Sequence, residues 1–130
     1  MKLTESDITK QIRGVLNACR IWHWKVWQGP MSQPKGVSDI LGIQIVKVAD
    51  LVEAGIEEVG IFMAIEVKKE GWKPPSPDTK QYRHFKAQED FIFKVNLDGG
   101  TGFFAQSVEE VIKELDLNAK LYPLWGRKCL

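Results

Sequence analysis

A largely apolar run that ends in charge, residues 61–68, most constrains the fold of this chain. It reads Ile-Phe-Met-Ala-Ile-Glu-Val-Lys and shows no alternation of apolar and polar residues. That pattern is typical of a strand buried on both faces. We therefore expect a central strand of a sheet, with Glu66 and Lys68 near the point where the strand leaves the core.

Before this run, the sequence predicts one helix and two strands. Thr4 can cap a helix over residues 5–19, in which apolar residues recur at three- and four-residue steps. Residues 21–27, which contain three tryptophans, and residues 37–48, rich in Ile and Val, predict strands. Residues 49–60 fit either a short amphipathic turn of helix or an excursion in a hairpin.

After the run, the sequence predicts a loop, a helix, a strand and a third helix. Three prolines within residues 74–77 indicate the loop. The apolar stripe of the second helix, which ends at Gly99, is marked by Phe85, Gln88, Ile92 and Val95. Residues 101–106 predict a short strand, and Ser107, with a glutamate three residues later, predicts a capping box that opens the third helix.

Length and cysteine content bound the class of protein. A chain of 130 residues suits one domain over residues 1–130, with a core at about 3–115 and an apolar tail at 116–130. Cys19 and Cys129 provide neither a zinc spacing nor a disulfide framework, so a reduced, cytoplasmic location is expected. The apolar runs fall far short of the ~20 residues that a membrane helix needs.

The charges nearly cancel, which restricts how the chain could meet a nucleic acid. Eighteen Lys and Arg face 17 Asp and Glu, for a net charge of +1. A nucleic-acid partner would therefore have to be met by a local basic patch rather than by the field of the whole molecule.

Glu66 and Asp39 are carboxylates in positions that could carry chemistry. Residues two apart in a strand share a face at about 6.6 Å, so Glu66 stands beside Lys68. A divalent ion needs the carboxylate, and a water that attacks phosphate gains from the cation; the alternative is a surface ion pair. Asp39 is followed directly by Ile40 and Leu41, in a segment predicted to be a strand, and aspartate is disfavoured in the interior of a strand. Taken alone, it is better interpreted as a turn residue bonded to its own backbone.

Two further residues have polar side chains whose place needs an explanation. Gln88 lies on the apolar stripe of the second helix and, if buried, needs a polar partner. Gln81 lies on the same stripe and is its rival. Glu5 lies in the first turn of the first helix, where the helix dipole stabilises a carboxylate whatever its function. No motif assigns a role to His23 or His84.

The combination of these residues resembles a known family. Glu5, the segment 36–42 that contains Asp39, the segment 65–68 and Gln88 occur in the order found in the VRR-NUC (virus-type replication-repair nuclease) domain. That domain belongs to the PD-(D/E)XK nuclease superfamily, and the resemblance covers residues 3–115. It favours Gln88 over its rival because of the spacing to the glycine pair that follows.

The chain also departs from the family pattern. Ser38 stands where the family usually has proline before the aspartate. The connection over residues 44–60 and the loop between Lys68 and Gln88 are both longer than usual. These departures concern the choice of substrate more than the chemistry.

The resemblance implies an α/β fold with a restriction-endonuclease-like core, helix–three strands–helix–strand–helix around a central mixed sheet. It also implies a metal-dependent, structure-specific DNA endonuclease. Asp39, Glu66 and the backbone carbonyl of Val67 would bind Mg²⁺ or Mn²⁺, and Glu5 would act through water or on a second ion. Lys68 would orient the attacking water.

The resemblance further implies that Gln88 positions Lys68 or that water. The expected substrate is branched DNA such as a Holliday junction, and the expected context is bacterial, phage or prophage. The alternatives are a flap or restriction-type endonuclease, or a non-catalytic module that binds DNA by its structure.

Basic and aromatic side chains supply the expected contacts to partners. The likeliest phosphate contacts by position are Lys35, Lys69, Lys73, Lys80, Arg83 and Lys86, although half of them could be solvated surface charges. Trp72 in the proline loop either stacks on a base or packs back on the domain.

A homodimer is expected as well. Its apolar surface would come from three tryptophans of the early strand, Trp22, Trp24 and Trp27, and from a tail containing Tyr122, Leu124 and Trp125. The tryptophans are expected in the core or at this interface rather than in contact with DNA. The alternative for the tail is that it folds back over its own core.

Overall fold

A computed structural model describes residues 2–26, 36–47, 52, 54–56 and 58–118 of the chain. The elements are α1 (Glu5–Ala18), β1 (His23–Lys25), β2 (Ile40–Lys47), β3 (Glu58–Val67), α2 (Gln81–Leu97), β4 (Thr101–Ala105) and α3 (Val108–Glu114). The predicted order of helices and strands is confirmed. None of the helices in the described ranges is long and apolar enough to cross a membrane.

The four strands form one mixed sheet in the order β1-β2-β3-β4. Strands β1 and β2 are antiparallel, as are β2 and β3, whereas β3 and β4 are parallel and joined through α2. Met63, Ala64, Ile65, Glu66 and Val67 are all buried. The prediction that the unalternating run is a central strand is therefore confirmed, and the chain is an α/β protein with helices flanking a mixed sheet.

Strand β3 begins earlier than the sequence predicted. Glu58 pairs with Lys47 and Val59 with Val46, so residues 58–60 are strand rather than part of a turn. Residues 52 and 54 lie in a short turn of 3₁₀ helix. The rest of the predicted excursion between residues 48 and 57, apart from 55 and 56, lies outside the described residues.

Strand β1 is shorter than the predicted strand at residues 21–27. Ile21 is buried, and its N–H donates to the carbonyl of Leu16, so it closes α1 rather than extending the sheet. Trp22 is 69% exposed and Trp24 is 37% exposed, with ring centroids 4.9 Å apart. The core interpretation of Trp22 is therefore wrong, because among the described strands β1 lies at the edge of the sheet and has a neighbour on one side only. Trp27 lies outside the described residues.

Caps at the two outer helices show how local sequence sets their starts. The Thr4 hydroxyl accepts from the N–H of Asp7, and the Asp7 carboxylate accepts from the N–H of Thr4, which completes a capping box. Ser107 accepts from the N–H of Glu110, but the Glu110 carboxylate accepts from Gln106 N–H instead. The predicted second capping box is therefore only half formed, and its other bond is shifted back by one residue.

The core lies between the sheet and helices α1 and α3. Its buried members include Ile8, Ile12, Leu16, Met63, Ile65, Val111 and Leu115. Cys19, at the end of α1, is half-buried and packs against this cluster. Leu117 is buried too, whereas residues 119–130, which contain the predicted interface residues of the tail, lie outside the described residues.

Candidate catalytic and metal site

Asp39 lies at the start of β2, beside the end of β3. Ile40 pairs with Ile65 across the antiparallel ladder, so Asp39 comes level with Glu66. One carboxylate oxygen of Asp39 accepts a 2.8 Å hydrogen bond from the N–H of Val67, a residue 28 positions away. Asp39 therefore bridges two strands, and its interpretation as a turn residue bonded to its own backbone is wrong.

Glu66 is a buried carboxyl group beside a second carboxyl group. Its side chain is 3% exposed, and its Oε1 is buried without a hydrogen-bond partner among the described residues. Burial raises the pKa of Glu66 to about 10, and the hydrogen bond and charge of Asp39 add to that rise. A carboxyl group in this position is unfavourable as an anion unless a cation binds to it.

Lys68 directs its ammonium group toward this pair. Its Nζ lies 3.9 Å from Oε2 of Glu66 and donates a 2.7 Å hydrogen bond to Oε1 of Gln88. The Lys68 side chain is only 11% exposed. The alternative of a surface ion pair at the strand end is therefore wrong, and the ammonium has a defined position held from α2.

Gln88 rather than Gln81 lies behind the site. Gln88 is 7% exposed, whereas Gln81 is exposed at the start of α2. An ammonium can only donate, so the amide oxygen of Gln88 has to face Lys68 and its nitrogen has to face away. That nitrogen lies 3.2 Å from Nε2 of His84.

Gly36 explains how the segment before β2 reaches α2. Its φ is +85°, and a Cβ at this position would lie 2.3 Å from the carbonyl oxygen of Ala87. The backbone at Gly36 therefore contacts the backbone of α2 directly beside Gln88. This contact brings the segment that carries Asp39 up to the helix that holds Lys68.

Glu5 is exposed in the first turn of α1, and its charge contributes to the raised pKa of Glu66, although burial and Asp39 are the larger causes. The start of α1 is tied to the segment after β3. The N–H of Leu3 donates to the Glu70 carboxylate at 2.8 Å, and the N–H of Glu70 donates to the carbonyl of Leu3 at 3.3 Å. Glu5 thus stands near the pair, although the helix dipole favours a carboxylate there in any case.

Trp72 packs back on the domain, which was one of its two interpretations. Its ring stacks on Phe104 with centroids 5.8 Å apart and an interplanar angle of 6°, and it tilts against Phe85. Its carbonyl accepts from the side chain of Gln106. The Nζ of Lys68 lies 5.2 Å from the centroid of the Trp72 ring, so the loop tryptophan forms one wall around the ammonium.

The predicted phosphate contacts divide into two groups. Lys86 forms ion pairs with Glu89 at 3.0 Å and Asp90 at 3.5 Å along α2, so its charge is largely offset. The remaining described members, Lys69, Lys73, Lys80 and Arg83, are exposed. Lys80 and Arg83 line a shallow cavity of about 500 Å³ at the start of α2. Lys35 lies outside the described residues.

The donor atoms at Asp39 and Glu66 fit a hard divalent cation. In the part of the chain that the structure describes, no group of three or more His, Cys, Asp and Glu side chains could hold a metal. The expected site has only two such side chains and a main-chain carbonyl. All three donors are oxygens, which Mg²⁺ prefers, and the unpartnered Oε1 of Glu66 is available to a cation.

His84 is the residue at this site that sequence reasoning missed. It lies four residues before Gln88 on α2, a spacing that places two side chains on one helical face. That spacing was the available signal, but it has meaning only if Gln88 is already known to face a catalytic group.

Comparisons with known proteins give no relative for this chain. No protein-family model matches it, and neither the curated proteins nor the solved structures contain a significant match. What the protein does has to be inferred from its own residues.

Proposed function

We propose that this protein is a metal-dependent endonuclease that hydrolyses phosphodiester bonds in DNA. The observation that carries the proposal is the arrangement of Asp39, Glu66 and Lys68, in which two adjacent carboxyl groups and an ammonium meet where β2 begins and β3 ends. Residues of these types are what hydrolysis of a phosphate ester needs: oxygen ligands for a cation and a positioned positive charge. The motifs that resemble the VRR-NUC domain agree with it.

Asp39, Glu66 and the carbonyl of Val67 would hold Mg²⁺ or Mn²⁺, with Glu5 acting through water or on a second ion. The N–H of Val67 donates a hydrogen bond to the Asp39 carboxylate, so Asp39 lies beside the main chain that carries Glu66 and Val67. A bound divalent cation supplies charge that stabilises the developing charge on the phosphate and makes a water more acidic.

Lys68 would orient the attacking water and offset charge on the phosphate as it becomes five-coordinate. In the reaction, a bond forms from the water oxygen to phosphorus, and the bond from phosphorus to one ester oxygen breaks. The water loses a proton to solvent, and the leaving oxygen gains one. Gln88 would keep the Lys68 ammonium directed at the phosphate, because its amide oxygen accepts a hydrogen bond from one of the three N–H groups of that ammonium.

The burial of Glu66 favours catalysis over a purely DNA-binding module. A carboxyl group that is 3% exposed and partly without hydrogen bonds costs stability. A binding module would gain nothing from that cost, whereas an enzyme would use the same group to hold its cation.

The restriction-endonuclease-like core, branched DNA as substrate and a homodimer are finer parts of the proposal. A two-fold dimer would place two sites in opposed orientation, which suits paired nicks across a near-symmetric junction. The exposed ring pair of Trp22 and Trp24 on the edge strand is apolar surface available to a second copy. Light scattering tests this part, because a monomer at micromolar concentration would contradict it.

The decisive experiment incubates labelled four-way junction, flap and linear duplex DNA with the protein, with and without Mg²⁺. We expect cleavage only with Mg²⁺ or Mn²⁺, and loss of cleavage in Asp39→Asn and Glu66→Gln. Calcium should support binding with little cutting, since its looser coordination activates water poorly.

Glu58→Gln is the matched control, because Glu58 is an exposed glutamate at the other end of the same strand. Cleavage by Asp39→Asn equal to that of the unaltered protein, in a preparation free of other nucleases, would refute the proposed site. Absence of cleavage by the unaltered protein on every substrate with both metals would refute the activity.

A further inference from the structure

A polar groove lies beside α1, and none of the described residues that line it is a predicted DNA contact. It has a volume of about 450 Å³ and is open to solvent. Lys10 and Arg13 from α1 and Lys25 from β1 line it, together with the polar side chains of Ser6 and Asn17. Three cations from two separate elements thus face one space.

The positive charge in this groove is only partly balanced, because Asp7 interacts electrostatically with Lys10. Among the described residues, no carboxylate lines the groove and no ion pair involves Lys10, Arg13 or Lys25. Asp7, the acid closest in sequence to Lys10, has its carboxylate bonded to the backbone and hydroxyl of Thr4. The groove is therefore a local site of positive charge on a chain whose net charge is only +1.

Arg13 is the least exposed of the three cations that line the groove. Its Nε is buried and has no hydrogen-bond partner among the described residues.

The direction and length of the groove suit an extended polyanion. Residues on α1 rise by about 1.5 Å each, so the span from Ser6 to Asn17 is about 16 Å. A strand of B-DNA coils around the duplex axis, so a straight groove of this length could follow only a few consecutive phosphates. Its near end lies one residue from Glu5, whose charge reaches Glu66.

We propose that the α1 groove binds backbone phosphates of the DNA. These phosphates lie along the strand at a distance from the phosphate whose ester bond is cut. The inference rests on the proposed function, because it takes the same DNA as its ligand. Lys10, Arg13 and Lys25 neutralise phosphates, and Ser6 and Asn17 donate hydrogen bonds to them. Affinity from this groove is independent of sequence, as expected for contacts to phosphate alone.

Gly14 allows a test that removes no existing contact. It lines the groove, and a Cβ at this position meets no atom within 4 Å. Gly14→Glu adds a negative charge to the groove, and Gly14→Gln adds a side chain of the same size without charge. Both replace a helical glycine with a better helix former, so both fold.

The measurement is fluorescence anisotropy of labelled duplex and four-way junction DNA, in Ca²⁺ or EDTA, at several salt concentrations. We expect Gly14→Glu to bind at least tenfold more weakly than Gly14→Gln. Lys10→Gln combined with Arg13→Gln should reduce the slope of log affinity against log salt by about two units. The control, Lys94→Gln combined with Lys113→Gln, removes two cations from α2 and α3 and should leave the slope nearly unchanged.

The outcomes separate this inference from the nuclease proposal. Equal binding by the two Gly14 variants, or an unchanged slope in the Lys10 and Arg13 double variant, overturns the groove while metal-dependent cleavage still stands. Weaker binding by these variants together with no cleavage in any metal supports the groove and overturns the nuclease. No DNA binding by the unaltered protein overturns both.

Discussion

The Lys68 ammonium donates a 2.7 Å hydrogen bond to the side-chain oxygen of Gln88, which lies 20 residues later on another element. The amide nitrogen of Gln88 then faces the imidazole of His84 at 3.2 Å. These two contacts form a chain from the exposed His84, through the buried amide of Gln88, to the ammonium group of Lys68. The chain fixes the direction of Lys68 without placing a second charge beside it.

Replacing Gln88 should reduce the rate of cleavage more than it reduces metal binding. Gln88→Met keeps the volume but loses the acceptor, so the Lys68 ammonium is no longer held. We expect the single-turnover rate on saturating DNA to fall about 10- to 100-fold. The thermal shift produced by Mg²⁺ should persist. Gln81→Met, an exposed position on the same helix, is the control, and an equal loss of rate there would contradict the role of Gln88.

His84 should act on the rate only through Gln88. Its Nε2 accepts from the amide nitrogen in the only arrangement compatible with a donating ammonium on the other side. His84→Leu removes the acceptor and should lower kcat severalfold while leaving KM for DNA unchanged. His84→Gln restores an acceptor and should recover most of the rate. Because His84 is exposed, stability should change by only about 0.5 kcal/mol; a Gln variant as slow as the Leu variant would exclude this role.

Glu66→Gln should stabilise the metal-free protein while abolishing its response to metal. The amide cannot ionise, so folding no longer requires proton uptake by a carboxyl group whose pKa rises to about 10, and the free energy of unfolding in EDTA at neutral pH should rise by about 0.5–2 kcal/mol. Addition of Mg²⁺ or Mn²⁺ should raise the melting temperature of the unaltered protein only. A melting temperature of the variant that rises equally with metal would show that Glu66 is not a ligand.

The same carboxyl group predicts a pH dependence of stability in the absence of metal. The pKa of Glu66 is about 10 in the folded chain against 4.5 as its ordinary value, so the folded state binds more protons between these two values. Stability from this group is therefore fully present below about pH 4.5 and declines as the pH rises toward 10. Unfolding in urea at several pH values, with Glu66→Gln for comparison, measures this slope, and parallel curves for the two proteins would contradict it.

Gly36→Ala should disturb both the stability and the site. A methyl group at this position would lie 2.3 Å from a backbone oxygen of α2, at a φ that alanine adopts only with strain. We expect a loss of about 2 kcal/mol or more in the free energy of unfolding. Gly55→Ala, which also has a positive φ but open space around it, is the control and should cost less. Equal losses would mean that strain alone, rather than contact with α2, sets the cost.

The loop lysines should differ from Lys86 in their effect on DNA binding. Lys69→Gln combined with Lys73→Gln removes two exposed charges and should lower the slope of log affinity against log salt by about two units. Lys86→Gln should lower it by less than one, because Glu89 and Asp90 already offset that charge. Salt titrations of DNA binding measure both slopes. An unchanged slope in the loop variant would show that Lys69 and Lys73 are solvated surface charges that do not contact phosphate.

Much of the fold could be predicted from the sequence because its signals are local. The lack of alternation in residues 61–68 predicted a buried central strand, and Thr4 predicted the start of α1 through contacts within one turn. The order of elements followed from periodicity and from prolines and glycines. The exposure of Trp22 could not be predicted in this way. An aromatic residue near a strand is buried or exposed according to its neighbours in the sheet, which no local pattern encodes.

Sequence alone marked Asp39, Glu66, Lys68 and Gln88 as residues of interest, but Asp39 and Glu66, each taken alone, fitted a plain structural interpretation better. Only the tertiary structure excluded the turn interpretation of Asp39 and the surface ion pair of Glu66. The bond from Asp39 to Val67 spans 28 residues and that from Lys68 to Gln88 spans 20, and each depends on how two elements pack. The α1 groove arises in the same way, because Lys25 joins Lys10 and Arg13 only where β1 lies beside α1. Contacts of this kind are set by the close approach of separate elements, as at Gly36 and α2, and the periodicity of either element alone does not specify them.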